Sequence, residues 1–129
     1  MYKRQDHISI GVRDLAAAGK LYDAALAPLG YARMIVRETT IGYGKKYPDF
    51  WLNERRTMVA VDPDTGTHIC LRAESAEAVT AFYDAAMKAG ATSDGPPGPR
   101  PEYTEGYFAA FIRDPDGNKI EAVTFIKKA

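Results

Sequence analysis

The chain has 129 residues, 46% hydrophobic and 26% charged, which suits one soluble domain with a sizeable core. Lys plus Arg number 17 and Asp plus Glu number 17, so the formal net charge is zero; that balance speaks against a nucleic-acid binder or a polybasic membrane tether. No apolar run approaches the ~20 residues of a membrane span, the start has no signal-peptide core, and the lone Cys70 excludes an internal disulfide and a Cys-rich zinc site, so a cytoplasmic protein is expected.

In chain order, the first element is a strand in which Ile8, Ile10 and Val12 alternate with His7, Ser9 and Gly11. A helix follows, capped by Asp14. Leu15, Ala18, Tyr22, Ala25 and Leu29 form its apolar stripe, and Pro28 and Gly30 end it. Strands are then predicted over Tyr31–Arg37, Thr40–Tyr43 and Phe50–Asn53. Asp62-Pro63-Asp64-Thr65-Gly66 is a stretch of turn formers. A new strand starts at His68-Ile69, and Ser75 caps a second helix with Val79, Phe82, Ala86 and Ala89 as its stripe and Gly90 as its stop. The last strands are predicted at Ala91–Ser93, Tyr107–Arg113 and Lys119–Phe125, the final two joined by the tight turn Asp114-Pro115-Asp116-Gly117-Asn118. The segment Gly95-Pro96-Pro97-Gly98-Pro99-Arg100-Pro101 is read as an irregular loop, because proline suits neither a helix nor an inner strand.

The chain repeats itself. His7-Ile8 falls on His68-Ile69, an offset of 68 − 7 = 61, and the same offset lays Tyr22-Asp23-Ala24-Ala25 on Tyr83-Asp84-Ala85-Ala86. Each half reads strand, helix, strand, strand, strand. The predicted fold is α+β: one domain over residues 1–129, with module one at about 5–61 and module two at about 66–127. The two βαβββ modules are expected to form a curved, cupped mixed sheet with helices on the convex face.

The helices must cover the faces bearing Ile8, Ile10 and Val12, Ile69, Leu71 and Ala73, and Ile120, Ala122 and Thr124. The opposite face then carries His7 and Ser9, His68, Cys70 and Arg72, and Glu121, Val123 and Phe125. His7 and His68 are the chain's two histidines. Two imidazoles and one carboxylate suit a single divalent Zn, Fe, Mn, Ni or Co ion and leave positions for water or substrate. The competing reading has each histidine simply hydrogen-bonded to a nearby carbonyl.

These residues resemble the vicinal oxygen chelate superfamily, the group of glyoxalase I, extradiol dioxygenases and the fosfomycin and bleomycin resistance proteins. Asp6-His7-Ile8-Ser9-Ile10, the Phe82-Tyr83 helix and Asp114-Pro115-Asp116-Gly117-Asn118-Lys119-Ile120-Glu121 carry the resemblance, over nearly the whole chain. It implies a metal that chelates two adjacent oxygens of a small-molecule substrate, held by His7, His68 and Glu121. The activity implied is that of a lyase, isomerase, thiol transferase or dioxygenase. The alternative is a metal-free binding protein of the bleomycin-resistance type. Glyoxalase I itself uses a fourth ligand, a carboxylate on the fourth strand, where alignment with Ile120-Glu121-Ala122 places Trp51; an indole cannot ligate a metal. A homodimer is also implied, with the site formed within one chain or across two.

Other candidates line the same face. Arg72 would pair with Glu121 or Asp49, or grip an anionic substrate. Cys70 is read as a small core residue. Trp51 would wall the pocket or pack in the core. In the loop Arg100–Tyr107, Arg100 is a substrate-binding candidate and Tyr103 and Tyr107 are candidates to donate hydrogen bonds or take a proton. Glu121 is a candidate for catalysis as well as for the metal.

Overall fold

A computed structural model describes residues 4–127. The elements run β1 (Ile8–Val12), α1 (Leu15–Leu26), β2 (Ala32–Val36), β3 (Thr40–Gly44), β4 (Pro48–Glu54), β5 (Ile69–Arg72), α2 (Ala76–Lys88), β6 (Thr92–Pro99), β7 (Tyr107–Arg113) and β8 (Lys119–Phe125), with short 3-10 turns at Ala27–Leu29 and Pro63–Thr65. The offset of 61 therefore carries the start of β1 onto the start of β5 and the start of α1 onto the start of α2. The strands form two four-stranded sheets of identical topology, β1-β4-β3-β2 and β5-β8-β7-β6. Each opens with a parallel pair and continues antiparallel. The two βαβββ modules are as expected, but their ladders stay separate: among the described residues β1 and β5 share no hydrogen-bonded pairing.

Local chemistry explains the helix ends. The side chain of Asp14 accepts from Ala17 N and that of Ser75 from Ala78 N, each satisfying a donor that the first helical turn leaves unpaired. The helical stripes bury Tyr22, Ala25 and Leu26 from α1 and Val79, Phe82 and Ala86 from α2 in one continuous core. Ala89, expected in that stripe, is exposed, because α2 ends at Lys88. Among the described residues no helix is long and apolar enough to cross a membrane.

The proline-rich segment departs from expectation. It is not an irregular loop but most of β6, an edge strand paired, among the described residues, only with β7. The register shifts between Ser93 and Gly95 and again between Gly95 and Gly98, so Pro96 and Pro97 fall in an unpaired bulge where a missing N–H costs nothing. Arg100 clips this bulge, donating to Pro96 O at 2.7 Å, Gly98 O at 2.8 Å and Pro99 O at 3.3 Å.

The turn at residues 114–118 joins the modules. Asp114 is buried and accepts the Tyr22 hydroxyl of α1 at 2.7 Å. Asp116 accepts from Arg13 N and Arg13 Nε at 3.0 and 2.7 Å. Asn118 Nδ2 donates to Gly11 O at 2.9 Å. Gly117 has φ +90°, and a Cβ there would come within 2.7 Å of Val61 O, so the turn demands glycine on two counts. The latch ties the last hairpin of module two to the first strand and helix of module one. The helices pack on each other as well as on their own sheets, while parts of the opposite faces of β1 and β5 remain exposed.

Candidate functional site

Strand register places the site. In β1–β4 the pairs are Ile8 with Phe50 and Ser9 with Trp51; in β5–β8 they are Ile69 with Ile120 and Cys70 with Glu121. Alternation sends Phe50, Leu52, Ile120 and Ala122 to the core and leaves Ser9, Trp51, Cys70 and Glu121 on the opposite faces.

On the second module Glu121 is only 2% exposed. Its Oε1 lies 2.9 Å from His68 Nε2, and its Oε2 accepts the Tyr107 hydroxyl. At 2.9 Å the two side chains are hydrogen-bonded to each other; tetrahedral ligands with bonds of ~2.1 Å stand about 3.4 Å apart, so a parting of about half an ångström would let both face one ion. Burial, and then the hydrogen bond to Glu121, push the Tyr107 phenol well above its ordinary range. Tyr107 therefore stays protonated and is a donor, not a base. Burial first, and then the Glu121 charge, hold the Cys70 thiol up at about 12. Cys70 is exposed on the open face and is not the core residue expected. A cavity of about 310 Å³ here is lined by His68, Tyr103, Tyr107, Phe111, Lys119 and Glu121. Tyr103 packs edge-on to Tyr107 at 5.1 Å, Tyr107 meets Phe125 at 5.3 Å, and Arg72 lies over Phe125 at 4.6 Å.

On the first module His7 is exposed, with Nδ1 2.7 Å from Asp6 Oδ2. An ionised carboxylate only accepts, so the proton sits on Nδ1 and, in the neutral ring, Nε2 presents its lone pair. A cavity of about 530 Å³ has His7, Asp6, Arg37, Thr40, Tyr47 and Trp51 in its wall. Trp51 is thus a wall of the cavity, only partly buried. Its indole lies across Gly42, where a Cβ would come within 2.8 Å of Cη2.

His7 shares a cavity of about 230 Å³ with Ile69, Cys70 and Leu71 of β5 but does not join the His68–Glu121 pair in a ligand group. Among the described residues no three His, Cys, Asp or Glu side chains gather where they would hold an ion. His68 and Glu121 are together; His7 borders a different cavity. Arg72 lines neither half directly but borders a third cavity, of about 400 Å³, with Lys45, Lys46, Asp49 and Glu74. The guanidinium of Arg100 is taken up by backbone carbonyls and by the face of Phe111 at 5.6 Å, which makes it a clip on the proline bulge rather than a free hand for substrate. Sequence reading missed Arg37, whose guanidinium carbon lies 5.3 Å above the Trp51 ring. The available signal was Gly42, since glycine inside a strand marks a close approach by another group.

A family model described as the Glyoxalase/Bleomycin resistance protein/Dioxygenase superfamily matches residues 30–122. Among solved structures, a glyoxalase/bleomycin resistance protein from Albidiferax ferrireducens is 30% identical, with TM-score 0.82, the alignment covering 94% of this chain and 98% of that one. A glyoxalase-related enzyme from Fulvimarina pelagi is 20% identical, with TM-score 0.70 and coverage of 95% and 88%. The fosfomycin resistance protein FosX from Listeria monocytogenes is 16% identical, with TM-score 0.68 and coverage of 95% and 93%. These last two show the fold alone. No curated protein matches by sequence.

Proposed function

Because this chain belongs to the Glyoxalase/Bleomycin resistance protein/Dioxygenase superfamily, we propose that it is a metal-dependent enzyme acting on a small molecule with adjacent oxygens, working as a homodimer. In this reading His68 and Glu121 of one copy and His7 of a second hold one divalent ion. The carrying observation is the buried Glu121 carboxylate set 2.9 Å from His68 Nε2. Such a carboxylate is costly to bury without strong partners, and the pair brings two groups of ligand chemistry side by side. The separation of His7 from that pair supports a site shared between copies, since the exposed sides of β1 and β5 each carry an incomplete ligand set.

An ion bound there would supply Lewis-acid polarisation of substrate oxygens. The chain's own groups do the rest. Asp6 fixes the His7 tautomer that leaves Nε2 available. Tyr107 donates to Glu121 and holds its carboxylate in one orientation. The rings of Phe111, Tyr103 and Tyr107 form one side of the cavity.

The test is elemental analysis of untagged protein. Glu121→Ala and His7→Ala should each lose bound metal. Mixing the two variants under conditions that exchange subunits should restore metal to about a quarter of the sites, because half the dimers are mixed and each has one intact site. Full metal content in Glu121→Ala would sink the ligand assignment. No recovery on mixing, with exchange verified, would sink the shared site.

The second reading, a metal-free binding protein, is favoured by one observation: no three-ligand group forms within the described chain. Wild-type protein that stays metal-free in the presence of excess Zn, Fe, Mn, Ni and Co would establish it.

A further inference from the structure

The first-module cavity has in its wall a cation, Arg37, that makes no direct ion pair among the described residues. Arg37 follows β2, at the start of the hairpin to β3, where its backbone N–H donates to Thr40 O at 2.9 Å. Its guanidinium lies over the Trp51 ring, and it forms no ion pair among the described residues. The carboxylate that shares the cavity, Asp6, is hydrogen-bonded to His7 and not to Arg37. Nor is the Trp51–Arg37 stack an accident of two long side chains. Gly42 makes room for the indole to lie on β3, with Pro48 Cβ at the edge of the same space. The indole in turn supports a planar cation above it. Thr40, at the cavity wall, has a buried hydroxyl with no hydrogen-bond partner among the described residues.

We propose that Arg37, supported on Trp51, is the recognition group for an anionic ligand, and that this cavity takes planar, singly charged carboxylic acids. The fork of a guanidinium matches a carboxylate in two parallel hydrogen bonds, which places the acid in the guanidinium plane. A flat body attached to that carboxylate then runs along the open edge of the indole toward His7. The single guanidinium fork holds one carboxylate; a second negative charge on the ligand would have no cationic partner and would face Asp6. The volume of about 530 Å³ lies within the range of small-molecule sites. This deepens the proposed function by naming the substrate class, and it rests on that reading only for the ligand being a substrate.

The test uses the full chain stripped of metal with EDTA, so it is independent of the ion. Trp51 is the only tryptophan and reports the site by its own fluorescence. The probes are benzoate and its neutral isostere benzamide at constant ionic strength. Benzoate is expected to change Trp51 emission saturably and to bind at least about tenfold more tightly than benzamide, a difference of ~1.4 kcal/mol. Arg37→Gln should abolish that preference, and Arg37→Lys should restore it only in part. Arg37 is exposed, so circular dichroism should show both variants folded. Equal binding of the two probes, no saturable change with benzoate, or an undiminished preference in Arg37→Gln would overturn the proposal. Failure of the metal-content test with benzoate selectivity intact would overturn the enzymatic reading and leave this one standing.

Discussion

Trp51 stands opposite Ser9 in the first parallel ladder as Glu121 stands opposite Cys70 in the second, so the indole and the carboxylate occupy equivalent places in the repeat. One module presents a carboxylate where the other presents an aromatic wall. Trp51→Glu would put a carboxylate at the place where glyoxalase I holds its fourth ligand. Zn²⁺ affinity, measured by competition with a chelator, should rise at least about tenfold. No change would mean that Trp51 does not face the ion.

Tyr107 donates to Glu121 and is itself kept protonated by burial. Tyr107→Phe removes the donor that orients the carboxylate and leaves the ring in place. Losing such a supporting hydrogen bond typically costs 10- to 100-fold in metal affinity, and a chelator titration should show a loss of roughly that size. The metal-free variant should lose about 1–3 kcal/mol of stability, since Glu121 stays buried with one donor fewer, yet remain folded by circular dichroism at the temperature of the titration, which separates positioning from folding.

The Tyr22–Asp114 hydrogen bond, at 2.7 Å, crosses between modules. Burial raises the Asp114 carboxyl above its ordinary range, while hydrogen bonds from Asn118 and Tyr22 pull it back down. A folded-state pKa above the unfolded one means that the stability Asp114 contributes is fully present below the unfolded pKa and is lost as pH rises through the folded pKa. Tyr22→Phe removes a donor to the ionised form, so it raises the folded pKa further and makes the neutral-pH cost larger. Urea unfolding should show destabilisation of about 1–3 kcal/mol at pH 7, and clearly less at pH 3, where the carboxyl is largely protonated. An equal loss at both pH values would contradict this account.

Cys70 is exposed but poorly ionised, its thiol held up at about 12. Alkylation by iodoacetamide at pH 8 in metal-free protein should run roughly 100-fold or more slower than for a free cysteine, which ionises near 8.5. Glu121→Gln removes the neighbouring charge and should speed the reaction. A rate like that of free cysteine would show that the open face is wetter than its groups imply.

Much of this was legible in the residues because it is local or periodic. Period-two alternation put His7, His68 and Glu121 on the faces away from the helices, and the aligned repeat paired Trp51 with Glu121 before any register was known. Tyr107–Arg113 and Lys119–Phe125 were bounded correctly. So were the caps Asp14 and Ser75. The bulged β6 was missed because proline forbids an inner strand but not an edge strand, and edge position is a property of the sheet. Arg100 was misjudged for the same reason: the carbonyls it clips exist only once the bulge has formed.

By itself the sequence determined the two βαβββ modules, their core faces and the chemical set of two imidazoles and a carboxylate. These follow from backbone geometry, repeated residue by residue. Only the tertiary structure decided that His68 and Glu121 meet while His7 borders another cavity, that Arg37 rests on Trp51, and that residues 114–118 latch one module to the other. Those relations depend on how two sheets and two helices pack, a matter of shape and burial between residues far apart in the chain, which no local pattern encodes.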